Sequence, residues 1–405
     1  MTEARGSTER SSDFPVAPQY SSDFPLTRPE VAKDPGDYFA TLRMECPVAH
    51  SDAFDGFWIL SRYDDVHDAA LTPEVFSNSQ GITIPAIPKP PSVCIGQDDP
   101  EHKKYRKPMQ GWFSAKRMEA IEDKVRGIVT GCIDEIIDDG KADLGQTLAS
   151  PIPPMVIAVI LGLPKSEWES FRERQTNLLQ AVQNGDAEAA GFWYQAITGN
   201  LAHHLALRRE HPKDGMLSDI VALTIDGKPI SDDVAVSLAN LILGAGHETT
   251  VGGIGGLLYQ VLKDPDLRDS LIADPSLIDN AVEEALRLEA PLFGLGRYLL
   301  DDTTVDDVAM SQGDWVMLMW GAANRDPAVF DSPEQFRLDR DNYQKHMAFG
   351  AGVHRCVGAP LARMEMRITL EEVLRRLPNA RLVNEDDVTV TWTVGRDFSN
   401  LNATW

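Results

Sequence analysis

The sequence predicts a mainly α-helical fold with small β-sheets, and three observations support that class. From about Glu119 onward apolar residues recur at helical intervals, the strand-like runs are short, and no linker rich in Pro, Gly or Ser follows Val31. Although 405 residues would suffice for two or three domains of common size, we therefore expect residues 31–405 to form a single domain. Residues 1–30, which are rich in Pro and Ser and contain SSDFP twice, are expected to form a loosely ordered arm.

Six segments have the apolar periodicity of amphipathic helices. The longest begins with Ser231 as a predicted N-cap, followed by two aspartates that favour the positive end of the helix dipole. The six segments are residues 120–137, 167–182, 191–209, 231–262, 277–289 and 360–377. Three short strands are expected at residues 57–61, 314–319 and 388–394.

Composition and charge exclude several classes of protein. Hydrophobic residues make up 43% and charged residues 25% of the chain, which is ordinary for a globular protein and excludes a disordered one. The 62 acidic against 38 basic residues give a net charge of −24, which argues against a general nucleic-acid binder or a protein of anionic membrane surfaces.

Apolar runs and cysteine spacing indicate where the protein works. The longest apolar run, residues 152–163, is too short for a membrane span and contains two prolines, and the N-terminus has no signal-peptide pattern. The four cysteines are far apart and form no CxxC pair, so neither a disulfide scaffold nor a structural zinc site is expected. We expect a cytoplasmic monomer without a membrane anchor.

The most informative stretch is residues 349–358, which read FGAGVHRCVG. Its cysteine, Cys356, lies among glycines that allow positive φ and close backbone approach, directly before a strongly helical segment. The N–H groups at a helix start favour a thiolate over a thiol. A thiolate in such a loop, lying against a large apolar cofactor, is by its chemistry a ligand of haem iron. Cys46, Cys94 and Cys132 have no such surroundings and are expected to be inert buried cysteines.

Two further motifs lie on predicted helices. Glu284 and Arg287 are three residues apart and share a helix face, so they can form an ion pair. The same spacing occurs elsewhere in the chain, so the pair means little by itself. The second motif, residues 245–250, reads AGHETT and places two threonines next to a glycine inside an apolar helical run. A threonine hydroxyl there can compete for a backbone carbonyl and open or bend the helix.

These motifs together resemble the cytochrome P-450 family of haem-thiolate monooxygenases. The family's ligand loop reads F-x-x-G-x-x-x-C-x-G, and Phe349, Gly352, Cys356 and Gly358 match it. The resemblance covers nearly the whole chain after the arm, although the first hundred residues match only loosely. It implies a triangular helical domain that holds haem b between a long central helix and the helix after the Cys loop. It also implies that Cys356 is the axial ligand of the haem iron.

The resemblance assigns roles to the helical motifs as well. The family pattern [AG]-G-x-[DE]-T-[TS] fits residues 245–250 and implies that Glu248 delivers protons and that Thr249 hydrogen-bonds dioxygen and water. His247 fills the variable position and is not expected to bind a metal. Glu284 and Arg287 are implied to be structural parts of the haem core. Their third partner usually comes from a Pro-x-x-Phe segment, but Gln335 stands where many members have Arg, so Arg340 or Arg325 is expected instead.

Haem carries two propionates, which need cationic partners in a half-buried site. Positions that match the family's suggest that His102, Arg106, Arg297 and His354 bind them, with Phe349 and Gly358 completing the haem site. The segments expected around the substrate are apolar, so the pocket should take a compact hydrophobic molecule such as a terpenoid or a small aromatic. The substrate contacts implied by the resemblance are Leu241, Ala245, Leu292, Leu295 and Val394, together with the loop of residues 82–87.

The expected reaction inserts one atom of O2 into a C–H bond, and its electrons must come from outside. The chain has no flavin or nicotinamide fingerprint and no cysteine cluster for an iron–sulfur centre. The family resemblance implies a [2Fe-2S] ferredoxin that is reduced by an NAD(P)H-dependent ferredoxin reductase. Such a carrier is usually acidic, so a local basic patch is expected to steer it. The predicted docking residues are Lys103, Lys104, Lys107 and Arg355.

Two alternatives remain open from the sequence. The same fold could catalyse another oxidative step on a natural product, such as dealkylation, coupling or rearrangement. A haem-binding sensor without turnover is the other alternative, but it would have little need for the Glu248 and Thr249 pair or for the docking lysines.

Overall fold

Helices dominate the computed structural model, which describes residues 19–20, 26, 28–84, 92–183, 185–392 and 395–405. The helices of these residues are α1 (Pro29–Lys33), α2 (Gly36–Glu45), α3 (Tyr63–Leu71), α4 (Glu101–Trp112), α5 (Ala115–Asp134), α6 (Ile152–Leu161), α7 (Trp168–Gln183), α8 (Ala187–Glu210), α9 (Met216–Val221), α10 (Asp232–Ala245), α11 (Glu248–Lys263), α12 (Pro265–Ala273), α13 (Ile278–Leu288), α14 (Trp320–Ala323) and α15 (Ala359–Arg376).

The strands are short. They are β1 (Gln19–Tyr20), β2 (Val48–Ser51), β3 (Phe57–Leu60), β4 (Phe76–Ser77), β5 (Lys141–Asp143), β6 (Thr224–Ile225), β7 (Lys228–Pro229), β8 (Leu295–Leu299), β9 (Thr303–Val305), β10 (Val308–Met310), β11 (Trp315–Leu318), β12 (Arg381–Leu382), β13 (Thr389–Trp392), β14 (Arg396–Ser399) and β15 (Asn402–Thr404). The mainly α class with small sheets is therefore confirmed.

Five of the six predicted helices correspond to α5, α7, α8, α13 and α15, with ends that differ by a few residues. Helix α6 was not predicted because apolar residues occupy nearly its whole circumference, so it has no polar face to give periodicity. Two of the expected strands are β3 and β11, which pair in parallel with Val316 opposite Trp58. The third corresponds to β13, which ends at Trp392, while residues 393 and 394 lie outside the described part of the chain.

The long helix expected over residues 231–262 is two helices, α10 and α11, separated by Gly246 and His247. The Thr249 hydroxyl donates a hydrogen bond to the carbonyl oxygen of Ala245 at 2.9 Å. In this contact a threonine hydroxyl competes for a backbone carbonyl, as the sequence suggested. The helix is completely interrupted here and not only bent. Gly246 also permits close packing, because a Cβ atom there would lie 2.3 Å from Cδ1 of Ile157.

The main sheet has the strand order β1-β2-β3-β11-β8-β4. Its first strand lies within the arm expected to be loose, since Gln19 and Tyr20 pair in parallel with β2. Leu26 is fully buried in the core, and α1 begins at Pro29. At these positions strand pairing and the burial of Leu26 hold the chain against the domain. The other residues from 1 to 27 lie outside the described residues.

Helix α11 lies at the centre of the molecule and is buried from Thr250 to Leu262. A row of glycines lets its neighbours approach closely. A Cβ on Gly253 would lie 3.0 Å from Sδ of Met366 in α15, and one on Gly252 would lie 2.4 Å from the Arg396 carbonyl oxygen of β14. This packing places the start of α11 between α15 and the β13–β14 hairpin. In the described part of the chain, none of the helices combines the length and apolarity that crossing a membrane requires.

Candidate active site

The loop before α15 is shaped by two glycines with positive φ. Gly350 has φ 66° and Gly352 has φ 69°, and a Cβ on Gly352 would lie 2.2 Å from the carbonyl oxygen of Ala70 in α3. The loop then folds back on itself, because the N–H of Cys356 donates to the carbonyl oxygen of Phe349 at 2.8 Å. Of the four cysteines only Cys356 is exposed. The predicted ligand is therefore the cysteine that can reach a cofactor.

Although Cys356 is accessible at the surface, the protein atoms packed around its thiol shield it from water and raise its pKa. The backbone N–H groups of Gly358 and Ala359 at the start of α15, and the charges of Arg106 and Arg363, act in the opposite direction. The helix start therefore favours the thiolate, as the sequence argument expected, while burial opposes it. Coordination to a metal ion would itself remove the proton.

The other three cysteines fit the expectation of inert core residues. All are buried, and burial raises the pKa of Cys94 and of Cys132 to about 11. Burial also raises the pKa of Cys46. These thiols stay protonated at neutral pH and have low nucleophilicity.

The four residues predicted to bind haem propionates converge from three parts of the chain. The ring of His102 in α4 lies 4.3 Å from that of His354 in the Cys loop, measured between centroids. Arg106, also in α4, donates to the carbonyl oxygen of Arg355. Arg297 in β8 is only 4% exposed and packs 5.9 Å over the Trp320 ring.

Burial disfavours the charged forms of these arginines and histidines, which an anion bound among them would offset. Burial lowers the pKa of Arg297 to about 10 and that of His354 to about 3, the latter with help from the charges of His102, Arg297 and Arg106. Among the described residues, the buried Nε2 atoms of His102 and His354 and the Nε atom of Arg106 have no hydrogen-bond partner. Unsatisfied buried donors are costly. The two carboxylates of haem b would supply acceptors and countercharge, so these residues fit that cofactor.

The break between α10 and α11 exposes a short polar stretch in an otherwise buried region. Ala245 is exposed, and Glu248 and Thr249 are partly accessible, although the residues after them are buried. Burial raises the pKa of Glu248 to about 7, and the charge of Asp397 in β14 adds to that shift. Asp397 was not predicted, because it approaches Glu248 only through folding of the β13–β14 hairpin.

Glu284 and Arg287 form a buried ion pair, with Nε of Arg287 2.7 Å from Oε2 of Glu284. Their third partner is Arg340, whose Nε donates to Oε1 of Glu284 at 2.8 Å. The other candidate, Arg325, instead pairs with Glu334. The structure therefore decides between the two arginines that the sequence left open.

Of the predicted substrate contacts, only the start of the loop of residues 82–87 is seen to lie beside another of them. Leu241, Leu292 and Leu295 are half-buried. From the loop of residues 82–87, Ile82 accepts a hydrogen bond from the N–H of Gly296 in β8 at 2.7 Å, so this loop lies against the strand that carries Leu295. Val394 and residues 85–87 lie outside the described part of the chain.

Two of the four predicted docking residues are paired with acidic side chains. Lys103 pairs with Asp99 at 2.7 Å, and Lys104 pairs at 2.8 Å with both Glu101 and Asp226. The positive charge of these two lysines is therefore largely offset, which the sequence did not reveal because Asp226 is distant in the chain. Lys107 and Arg355 are exposed.

Arg355 lines a groove of about 1140 Å³ beside the Cys loop. Its walls come from α3, α5, α13, α15 and the loop before α15. Other residues that line it include Met118, Glu122, Lys345, Arg363 and Arg367.

Sequence reasoning missed one cluster next to the Cys loop. Glu283 accepts from Arg363, with Nη2 2.9 Å from Oε2, and lies 2.9 Å from Nε2 of His346. The Arg363 guanidinium lies 4.5 Å over the Phe349 ring. The only signal in the sequence was that Glu283 directly precedes Glu284. We refer to Glu283, His346 and Arg363 as the Glu283 cluster.

Comparisons with known proteins agree with this geometry. The family model described as cytochrome P-450 matches residues 196–387. Steroid C26-monooxygenase of Mycobacterium tuberculosis is 35% identical over 375 residues, which cover 89% of this chain and 92% of that protein. Vitamin D(3) 25-hydroxylase of Pseudonocardia autotrophica is 34% identical over 360 residues, covering 86% and 88%. The solved structure of CYP109Q5 from Chondromyces apiculatus has a TM-score of 0.85 and 28% identity, covering 95% of this chain and 98% of that one.

Proposed function

Because the chain belongs to the cytochrome P-450 family and is a monooxygenase with haem b as cofactor, we propose that it inserts one atom of O2 into a C–H bond of a hydrophobic substrate. The observation that carries this proposal is the break between α10 and α11, which presents Glu248 and Thr249 at an accessible edge of a buried helix pair. A protein that only binds haem has no use for a proton donor and a hydroxyl placed in this way.

In this proposal the haem is held by the Cys loop and by the four residues that are predicted to bind its propionates. Cys356 supplies the thiolate ligand, with Phe349 and Gly358 shaping its loop. His102, Arg106, Arg297 and His354 bind the two carboxylates. When bound, the haem supplies the chemistry of O–O bond cleavage and oxygen transfer, which the thiolate promotes.

Thr249 and Glu248 manage water and protons. The Thr249 hydroxyl donates to the Ala245 carbonyl oxygen, so its lone pairs remain to accept a hydrogen bond from a water molecule. Glu248, whose pKa burial raises to about 7, can hold and release a proton at neutral pH. Together they deliver protons to the reaction site without opening it to bulk water.

We propose an uncharged apolar substrate. The half-buried side chains of Leu241, Leu292 and Leu295 support this class. A compact terpenoid or small aromatic is the choice that the sequence suggested, whereas the names of two relatives point to a steroid and to vitamin D(3), which are larger molecules. A panel of terpenes, aromatics and steroids, screened for substrate-induced changes in the haem absorbance, distinguishes these sizes.

The proposed function is tested with the compound that gives the largest absorbance change. With NAD(P)H, a ferredoxin and its reductase under ¹⁸O2, we expect one labelled oxygen in each product molecule. Product analysis also tests the alternative oxidative steps, since dealkylation releases a smaller fragment, and coupling or rearrangement gives product without label. Unlabelled product, or no product from any compound that binds, would contradict the proposal.

Removing Glu248 or Thr249 should uncouple the reaction. We expect Glu248→Gln and Thr249→Ala to lower product formed per NAD(P)H oxidised by about tenfold or more, since a positioned proton donor contributes about 10²–10⁴-fold to a rate. Thr250→Ser, a change at the adjacent buried position, serves as the control and should retain coupling.

Because Glu248 carries its proton only below its pKa of about 7, coupling in the wild type should fall as the pH rises through 7. A similar fall in Glu248→Gln would contradict this role.

We further propose that electrons come from a [2Fe-2S] ferredoxin, reduced by an NAD(P)H-dependent reductase, that docks over the groove beside the Cys loop. Lys107 and Arg355 are exposed and are the better candidates for steering, because Lys103 and Lys104 are paired with carboxylates. Opposite charges on the two proteins would raise the association rate at low salt.

Charge reversal at the docking face tests this proposal. We expect Lys107→Glu combined with Arg355→Glu to slow reduction by the ferredoxin by about tenfold at low ionic strength, and less at high salt. Lys104→Glu should have a smaller effect, since the charge of Lys104 is already offset. Stopped-flow reduction rates at several salt concentrations provide the measurement. Equal effects of both changes, or no dependence on salt, would place docking elsewhere.

A further inference from the structure

Arg363 lies between the docking groove and Phe349, the residue that binds the backbone N–H of Cys356. It lies in α15, lines the groove, and its side chain is 31% exposed. Its guanidinium packs 4.5 Å over the ring of Phe349. The Phe349 carbonyl oxygen in turn accepts the N–H of Cys356 at 2.8 Å. A change at Arg363 therefore reaches the sulfur ligand through a single intervening residue.

The charge of Arg363 is held in place by the rest of the Glu283 cluster. Two guanidinium nitrogens of Arg363 bind the two carboxylate oxygens of Glu283. His346 is buried, and its Nδ1 accepts the N–H of Ala348 at 3.2 Å, so its proton is on Nε2 and is donated to Glu283 at 2.9 Å. The neutral His346 therefore holds the Glu283 carboxylate in place, and Glu283 in turn holds the Arg363 guanidinium beside the Cys loop.

We propose that the Glu283–Arg363 pair is a positioning device that sets the reduction potential of the haem iron through Phe349 and Cys356. This inference rests on the proposed ligation of iron by Cys356. Reduction of the iron adds one negative charge at the iron–sulfur unit, and a fixed cation close to the sulfur stabilises the reduced form. Glu283 limits that effect, so the balance of the two charges determines the potential.

The two charges predict shifts of opposite sign. Arg363→Met removes the cation and leaves Glu283 unbalanced, so one-electron reduction should become at least tenfold less favourable, which is a decrease of about 59 mV. Glu283→Gln leaves Arg363 unbalanced and should raise the potential. Arg363→Lys keeps the charge and should stay within threefold of the wild type. Arg363→Gln, a second neutral variant, should follow Arg363→Met.

Arg367→Met is the matched control. Arg367 lies one turn further along α15, lines the same groove and pairs with Glu122 and Glu371, so in the described part of the chain its ion-pair partners belong to α5 and α15 and not to the Cys loop. We expect its removal to leave the potential within threefold of the wild type. A general effect of surface charge in the groove would shift both arginine variants alike.

The measurement is a spectroelectrochemical titration of each haem-loaded protein, without substrate or ferredoxin. Potentials that move in opposite directions for Arg363→Met and Glu283→Gln, with Arg367→Met unchanged, would support the proposal. Shifts in the same direction, as mere loosening of the loop would give, or no shift at all, would overturn it. The carbon monoxide spectrum of the reduced wild type separates this outcome from a failure of the proposed ligand, because it reports thiolate ligation independently of the potential.

Discussion

Cys356→Ala is expected to abolish the red-shifted Soret band that the reduced wild-type protein gives with carbon monoxide, and all monooxygenase turnover with it. Cys356 is the one exposed cysteine among the four and lies directly before the start of α15. Without the thiolate, the electron density that promotes O–O cleavage is lost. The difference spectrum of the reduced protein with and without carbon monoxide measures the ligand directly.

Cys94→Ala is the matched control for this experiment. Cys94 is buried, and burial raises the pKa of its thiol to about 11, so it cannot supply a thiolate near neutral pH. We expect the spectrum of the wild type and a stability loss of about 1 kcal/mol from the missing sulfur. A thiolate-type band that survives in Cys356→Ala and disappears in Cys94→Ala would reassign the ligand.

Glu284→Gln should be the most damaging single change to the fold. Glu284 accepts from Arg287 and from Arg340, and all three side chains are buried. Replacing the carboxylate leaves two guanidinium groups uncompensated, and breaking a buried ion pair in this way costs about 3–5 kcal/mol. Whole domains are stable by only about 5–15 kcal/mol. We expect a large drop in the urea midpoint and in the fraction of protein that retains haem.

Glu334→Gln provides the comparison. Glu334 also pairs with an arginine, Arg325, but its side chain is 46% exposed. Arg325 is buried but also donates to the Leu288 carbonyl oxygen, and water can reach the half-exposed position of Glu334, so the urea midpoint should fall less than in Glu284→Gln. If the two substitutions had similar effects, burial would not be what makes the Glu284 pair important.

The ligand loop could be predicted from the sequence because its determinants are local. Two glycines with positive φ and the cysteine lie within ten residues, and Gly352 is required by its contact with Ala70. The cations His102 and Arg106 were also within reach, since both lie on α4. The pattern at residues 245–250 predicted a distortion, although the periodicity of the flanking segments concealed a full break between two helices.

The remaining features depend on contacts between distant parts of the chain. The Glu283 cluster joins α13, the Cys loop and α15. Lys104 is neutralised by Asp226, and Glu248 is influenced by Asp397, each from a segment far away in sequence. Neither periodicity nor motif spacing carries information on such pairs. Only the folded chain shows which acids accompany which bases.

Arg340 has a second consequence for the fold, because it ties a loop to α13. Its guanidinium reaches the same carboxylate as Arg287 and is also held by the carbonyl oxygens of Ser332 and Gln335. Arg287 donates to the Gln335 carbonyl oxygen as well. One buried carboxylate thus anchors a helix and a loop that lie about fifty residues apart in the chain, and removing it would release both together.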